Sequence, residues 1–291
     1  ICYGGDGTAS LDSTLYLFDA DRLYRNWLVL WGDELRPDGA LPHTAPAPYK
    51  AGGGPVWCGF PITAAWQHYL HYGNVEIIRQ SYTVGEKWFD YVKRHSDAEG
   101  LLDRWPNTEY RNWFLGDWLP PDGVDPKQEA SITLIVNCFI VQCRERMAKI
   151  AAILGQADGA RRHAETANRL RQAIHQRFYD PATCQYADGD QIDLAYPLLV
   201  DVVPEQDRSE VLHKLAAIIR AETPPRLGTG LVGTKVLLDC LIREGRNDLL
   251  FEMINHREYP GWGYMIDCGA GTTWEDWHEE TRSHIHNCFN Q

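Results

Sequence analysis

Apolar residues recur along this chain at helical spacing almost from end to end. Leu11, Leu15, Phe18, Trp27, Leu28 and Trp31 give apolar stripes across residues 8–35, with a polar break near Asp19 to Asp21. Residues 61–72 and 74–95 continue the pattern, the second with Trp88, Phe89, Tyr91 and Val92. The longest predicted helix runs from Gln128 to Leu154. Its middle, Ile132 to Val141, is nearly all apolar, which predicts a central, buried helix. Further helices are predicted over 157–178, 205–221, 229–244 and 246–256. Gly155, Gly228 and Gly245 stand where helix stops are expected. No stretch alternates apolar and polar residues as a half-buried strand would. The chain reads as all-α.

The loops between these helices share a composition. Arg36-Pro-Asp-Gly-Ala-Leu-Pro-His43, Gly52 to Trp57, Arg104 to Trp118 and residues 259–277 are rich in Pro, Gly, Asp and Trp. Trp57, Trp105, Trp113, Trp118, Trp262, Trp274 and Trp277 all fall in them. Rich and plain connections in alternation are what a ring of helical hairpins would give, with the rich loops gathered at one end on a rigid frame. An ordinary helical bundle with ornate loops fits the periodicity equally well.

The segment from Tyr259 to Trp277 is Gly-rich yet holds three Trp, two Tyr and three carboxylates. Irregular segments shed large rings unless the rings do something. Rings beside Glu and Asp suit a sugar cleft, where they stack on a pyranose and the carboxylates bind hydroxyls or catalyse. The plain reading is a buried aromatic staple between helices.

Bulk properties narrow the partners. The 291 residues carry a formal net charge of −12 and a pI of about 5.3, which argues against nucleic acid and anionic membrane as partners. No apolar run is long enough to span a bilayer, and no signal-peptide pattern opens the chain. The first residue is Ile, so a chain cut from something longer is expected. The eight cysteines (Cys2, Cys58, Cys138, Cys143, Cys184, Cys240, Cys268 and Cys288) form no CxxC pair, and free thiols in a reducing compartment are expected. Composition leaves a cytoplasmic or a periplasmic location open.

Several chemistries lack their signatures. No Gly-rich phosphate loop and no GxSxG elbow occurs. His284 and His286, with Glu279 and Glu280, offer a weak zinc alternative. Paired carboxylates remain, as glycoside hydrolysis requires. Glu275 lies between two Trp, where desolvation would raise its pKa toward a working range, and an ion pair with Arg282 is the bland alternative. Asp6, in Tyr3-Gly-Gly-Asp6-Gly, and Asp117, in Gly116-Asp117-Trp118, are exposed acids or else helix caps.

In combination these segments resemble the catalytic domain of the inverting α-L-rhamnosidases, over nearly all of the chain. Tyr3-Gly-Gly-Asp6-Gly is similar to the family's glycine-aromatic-x-Gly-Asp segment, Arg36 to His43 to its RPDGxxPH loop, and Gly116 to Leu119 to its GDWL loop. Thr229-Gly-Leu-Val-Gly-Thr234 resembles its TGxxGT helix start. Glu258 to Trp262, Gly269 to Trp277 and Ser283 to His286 resemble its YPxW, GATTxWExW and SHNH segments. Each motif is weak alone, and the ordered set is specific.

The resemblance implies an (α/α)6 barrel over residues 1–291, trimmed at one or both ends, that removes terminal α-L-rhamnose with inversion. Glu275 falls on the general base that activates water. Tyr3, Asp6, Trp57, Trp118 and His286 fall on sugar-contacting positions, and Asp117 and Asp267 on acidic positions of binding or supporting role. No cofactor and no metal is implied. The partner is a rhamnose-containing glycoside, with accessory β-sandwich domains in the parent chain. The family's general acid is a Glu that would lie two residues before Ile1, at a carboxyl separation of roughly 6.5–9.5 Å from the base. Rival readings are a uronate-specific barrel using Arg104, Arg111 or Arg226, a non-catalytic carbohydrate-binding barrel, and a zinc-dependent helical barrel.

Overall fold

A computed structural model describes residues 3–49, 54–105, 114–122, 129–278, 282–286 and 289–290. Cys2, Arg111, Trp113, Glu279, Glu280 and Cys288 lie outside them. The helices are α1 (Gly4–Ala9), α2 (Leu11–Leu17), α3 (Asp21–Asp33), α4 (Pro55–Cys58), α5 (Phe60–Tyr72), α6 (Val75–His95), α7 (Glu129–Ile153), α8 (Ala157–Phe178), α9 (Gln191–Leu199), α10 (Glu205–Ile219), α11 (Leu231–Arg243), α12 (Asn247–Ile254) and α13 (Trp262–Asp267). Among the described residues the only strands are β1 (Tyr179–Asp180) and β2 (Gln185–Tyr186), an antiparallel pair. No described helix is long and apolar enough to cross a membrane. The chain divides into two compact units, Ile1–Leu115 with Phe139–Ala173, and Gly116–Cys138 with Ile174–Gln291.

In the first unit α3 packs on α5 and α6, and α5 lies along α6. The polar break expected near Asp19 to Asp21 separates α2 from α3. It also ties the helices together, because Asp21 Oδ1 meets the buried His68 Nε2 at 2.8 Å across to α5. Helix α6 forms because Asn74 caps it, accepting the Glu76 N–H at 3.0 Å, and because Lys93, Arg94 and His95 close its negative end. Its apolar face buries Ile77, Ile78, Trp88, Phe89 and Val92. Trp31, Trp88 and Phe60 are fully buried. Each ring removes about 150–250 Å² from water, roughly 4–6 kcal/mol before entropy. The Trp31 and Trp88 indole N–H groups are sealed in without acceptors, at about 1–3 kcal/mol each, and ring burial outweighs that cost.

In the second unit α9 packs against α10 and α11. Periodicity does not reveal α9, because Gln191 to Leu198 are all buried and no polar face is left to mark a period. Asp193, inside its first turn, accepts from Ser131 Oγ at 2.6 Å and from the Asp188 and Asp190 amides. Burial raises its carboxyl to about 7. Gly155 and Gly245 do stop helices, at φ 73° and 68°. Gly228 does not: α10 ends at Ile219, and Gly228 lies in the segment entering α11. Cys138, Cys240, Cys184 and Cys268 of this unit are free thiols, as are Cys58 and Cys143 of the first.

The 259–277 segment is less irregular than its glycines suggest, since Trp262–Asp267 forms α13. Trp274 and Trp277 are buried at 2% and 0% exposure, so these two rings are packing and not sugar platforms. Trp277 lies 4.0 Å from the Phe289 ring centre and donates its Nε1–H to Thr229 O at 2.8 Å.

Candidate active site

In the second unit the site residues are assembled by three loops around the N-terminus of α11. Helix α11 starts at a glycine cap, Gly230, with no capping side chain of its own. Asp117 supplies the cap from another loop. Its Oδ2 accepts the Gly230 N–H at 2.7 Å, and its Oδ1 accepts the Val232 and Gly233 N–H groups at 3.0 and 2.8 Å. Trp118 O takes the Leu231 N–H at 2.8 Å. The Thr229-Gly-Leu-Val-Gly run permits this approach: a Cβ on Gly230 would lie 2.6 Å from Trp118 C, and one on Gly233 3.0 Å from Asp117 Cγ. Burial pushes the Asp117 carboxyl up to about 6, against the pull of the backbone amides. Asp117 is thus a buried acid that positions Trp118 and α11, with its oxygens turned to the helix end. The cap alternative read from sequence is the arrangement seen, although the helix capped is a remote one.

Glu275 belongs to a segment, residues 273–275, that pairs with residues 283–286. The Glu275 N–H donates to Ser283 O at 2.9 Å and the His286 N–H to Thr273 O at 3.0 Å. This pairing places Glu275 and His286 on one two-segment platform. The Glu275 carboxylate receives the Ser283 N–H at 3.4 Å and faces Arg282 Nη1 at 3.9 Å, with a quarter of its side chain exposed. The same Arg282 guanidinium lies 5.2 Å from the Trp118 ring centre. One cation therefore lies between Glu275 and the half-buried Trp118 ring, and the ion pair with Arg282 read as an alternative from sequence is present. Trp274 stacks on His284 at 5.0 Å. Tyr259 donates its hydroxyl proton to Pro121 O at 2.9 Å and meets His278 Nε2 at 2.7 Å, tying the Trp118 loop to the C-terminal segment. Asp267 stands apart from this platform in the contacts it makes. It is exposed at the end of α13 and ion-paired with Arg257, which lowers its pKa.

The first unit gathers Tyr3, Asp6 and Trp57. Tyr3 bridges Thr44 in antiparallel fashion, and the Gly4 N–H donates to His43 O at 2.9 Å. The Tyr3 ring sits 5.2 Å from His43, and its hydroxyl meets the Tyr49 hydroxyl at 2.7 Å. Helix α1 begins at Gly4 with Tyr3 as cap, so Asp6 lies within its first turn and is not the helix cap. The glycines before it are needed for contact: a Cβ on Gly5 would lie 2.5 Å from Trp57 Nε1. Trp57, 4% exposed, packs against the Gly4-Gly5 turn that precedes Asp6.

His278, Tyr49 and the guanidinium of Arg282 as a link to Trp118 escaped sequence reasoning. Only Arg282 left a signal there, as a possible partner for Glu275. Among the described residues no group of three or more His, Cys, Asp or Glu is disposed to hold a metal ion.

Comparison with known proteins gives these residues a setting. The family model described as the bacterial alpha-L-rhamnosidase 6 hairpin glycosidase domain matches residues 1–291. An alpha-L-rhamnosidase of Streptomyces avermitilis is 29% identical over 274 residues, covering 94% of this chain and 25% of that protein. The crystal structure of a Streptomyces avermitilis alpha-L-rhamnosidase complexed with L-rhamnose superposes with a TM-score of 0.86 at 26% identity, covering 99% of this chain and 27% of that one. The alpha-L-rhamnosidase of Dictyoglumus thermophilum gives a TM-score of 0.87 at 27% identity, covering 99% and 32%. The chain thus spans about a quarter to a third of the length of these relatives. It belongs to the bacterial α-L-rhamnosidase family, as its mostly helical six-hairpin glycosidase domain.

Proposed function

We propose that the protein hydrolyses terminal α-L-rhamnosyl residues of glycosides or polysaccharides with inversion of configuration. The observation that carries this reading is the seat of Glu275. It is a partly exposed carboxylate held by a backbone amide and by Arg282, whose guanidinium also lies over the Trp118 ring, in the segment that resembles the family's base segment. Glu275 takes a proton from a water, and that water attacks the anomeric carbon. A second carboxyl group protonates the leaving oxygen, as single displacement requires. His286 on the same platform, and Trp118 from its separate loop, are assigned to the sugar. Tyr3, Asp6 and Trp57 are assigned to sugar contact from the motif they occupy, Asp6 through its carboxylate and Trp57 through its ring. Asp117 acts through Trp118, and Asp267 is assigned to the rim. Additional domains of the parent polypeptide, a β-sandwich among them, complete the assembly.

Two arginines that a uronate reading would need have other engagements. Arg226 pairs with Glu222, and Arg104 lies over the Phe114 ring at 5.0 Å. The test is release of p-nitrophenol from p-nitrophenyl α-L-rhamnoside by the full-length polypeptide, beside a panel of other aryl glycosides and a Glu275→Gln variant. Turnover confined to the rhamnoside, and reduced about 10²- to 10⁴-fold in Glu275→Gln, is expected. Turnover of another sugar alone would discard the substrate, and unchanged turnover in Glu275→Gln would discard the base.

A further inference from the structure

The loop that carries Trp118 holds one residue in a backbone conformation its side chain disfavours. Leu119 stands at φ 56°, in the left-handed region that bulky residues rarely adopt. Such a conformation persists only where the surrounding structure over-determines it. On the N-terminal side the hold is the start of α11. Asp117 accepts three amides there, and Trp118 O accepts the Leu231 N–H at 2.8 Å. On the C-terminal side stand Pro120 and Pro121, which have no N–H, so the backbone can be anchored there only through its carbonyl oxygens. The Pro121 carbonyl accepts from the Tyr259 hydroxyl at 2.9 Å and lies 3.1 Å from His278 Nε2. Burial, with the charge of Asp276, raises the pKa of the Tyr259 hydroxyl, so it stays a donor. Its one proton goes to Pro121, and His278 Nε2, 2.7 Å from the Tyr259 oxygen, is then the donor in that pair. The two rings lie 4.7 Å apart, and Tyr264 meets Tyr259 edge-on at 5.4 Å.

His278 follows Glu275 in the same short segment, Glu275-Asp276-Trp277-His278. Trp277 is fully buried and donates to Thr229 O at 2.8 Å, and the His278 N–H donates to Asp276 Oδ1 at 3.1 Å. The segment that bears Glu275 is therefore anchored beside the start of α11, and the Pro121 carbonyl is anchored to that segment. Arg282, exposed and 3.9 Å from the Glu275 carboxylate, is too loose a contact to set a distance. We propose that Tyr259, together with His278, is a positioning residue: by holding the Pro121 carbonyl it keeps Leu119 in its strained conformation and sets the Trp118 ring relative to Glu275. The proposal rests on the rhamnoside reading for its effect on activity, and not for its effect on the loop.

The test is a double-mutant cycle between Tyr259→Phe and Trp118→Ala, read as kcat/KM of the full-length polypeptide on p-nitrophenyl α-L-rhamnoside. Tyr259→Phe keeps the ring and removes the hydroxyl. Alone it should lower kcat/KM about tenfold, because small misplacements of a substrate-holding group are costly. In the Trp118→Ala background the same change should cost less than about twofold, because the ring it positions is gone. A residue that only stabilised the protein would cost the same in both backgrounds. Should Tyr259→Phe fail to fold, His278→Ala at its exposed site takes its place in the cycle. Losses that multiply, or an unchanged kcat/KM in the single variant, would overturn the proposal. Inactivity of the unsubstituted protein on rhamnosides would overturn the substrate reading instead. A crystal structure of Tyr259→Phe then decides the positioning claim: Leu119 relaxed to negative φ supports it, and Leu119 and Trp118 unmoved overturn it.

Discussion

Asp117→Ala is the substitution whose cost the structure sets most directly. It removes the acceptor from three buried N–H groups at the first turn of α11, at Gly230, Val232 and Gly233. A buried amide left without a partner costs about 1–3 kcal/mol, so three cost about 6 kcal/mol at mid-range. The substitution also relieves the interior of an ionised carboxylate. The Asp117 pKa stands at about 6 in place of 3.8, and a shift of about 2 units is worth roughly 3 kcal/mol. The net loss at pH 7 is therefore about 3 kcal/mol. At pH 4 the native carboxyl carries its proton, the charge penalty is gone, and the same substitution costs about 6 kcal/mol. The sign follows from linkage: a carboxyl whose folded pKa is raised adds stability below its unfolded value and loses it as pH climbs toward 6. Urea unfolding of the protein and the variant at both pH values measures this. A cost below about 1 kcal/mol at pH 7, or one that does not grow on acidification, would refute the view that Asp117 holds the helix end.

Asp193, raised to about 7, obeys the same sign, so Asp193→Asn should flatten the fall of stability expected between pH 4 and pH 7, as urea unfolding of the unsubstituted protein and the variant would measure. Gly5→Ala places a Cβ 2.5 Å from Trp57 Nε1; the ring must move, and a loss of about 1–3 kcal/mol in thermal unfolding is expected, with a fall in kcat/KM on aryl rhamnoside. Arg282→Met removes one exposed ion pair and one cation over Trp118, so its stability cost should stay within about 1 kcal/mol. Its kcat/KM should fall about tenfold or more, because Glu275, the proposed base, and Trp118 lose the cation they share.

Much of the frame was legible because amphipathic periodicity survives wherever a helix keeps a solvent face. Helices α5, α6, α8, α10, α11 and α12 lie close to their predicted spans for that reason. Helix α9 was invisible because it is buried all round, and α1 and α4 because six and four residues are too few to show a period. The candidate site was legible as motifs and not as contacts. Asp117 carries no mark in sequence that its partners are the amides of α11, more than a hundred positions away. Trp274 and Trp277 flank Glu275 in sequence as two candidate platforms, and both turn into the core. Trp118, from a separate loop, is the ring that shares a cation with the carboxylate. Loop rings become platform or packing according to tertiary neighbours, which local composition does not record.

The central claim is single displacement on an α-L-rhamnoside by a water that Glu275 activates. Proton NMR of the sugar first released from an aryl α-L-rhamnoside, followed before mutarotation, tests it most directly. The account predicts that β-L-rhamnose appears first and that Glu275→Gln abolishes its appearance. Release of α-L-rhamnose first would contradict it, since retention requires a carboxylate nucleophile and not an activated water.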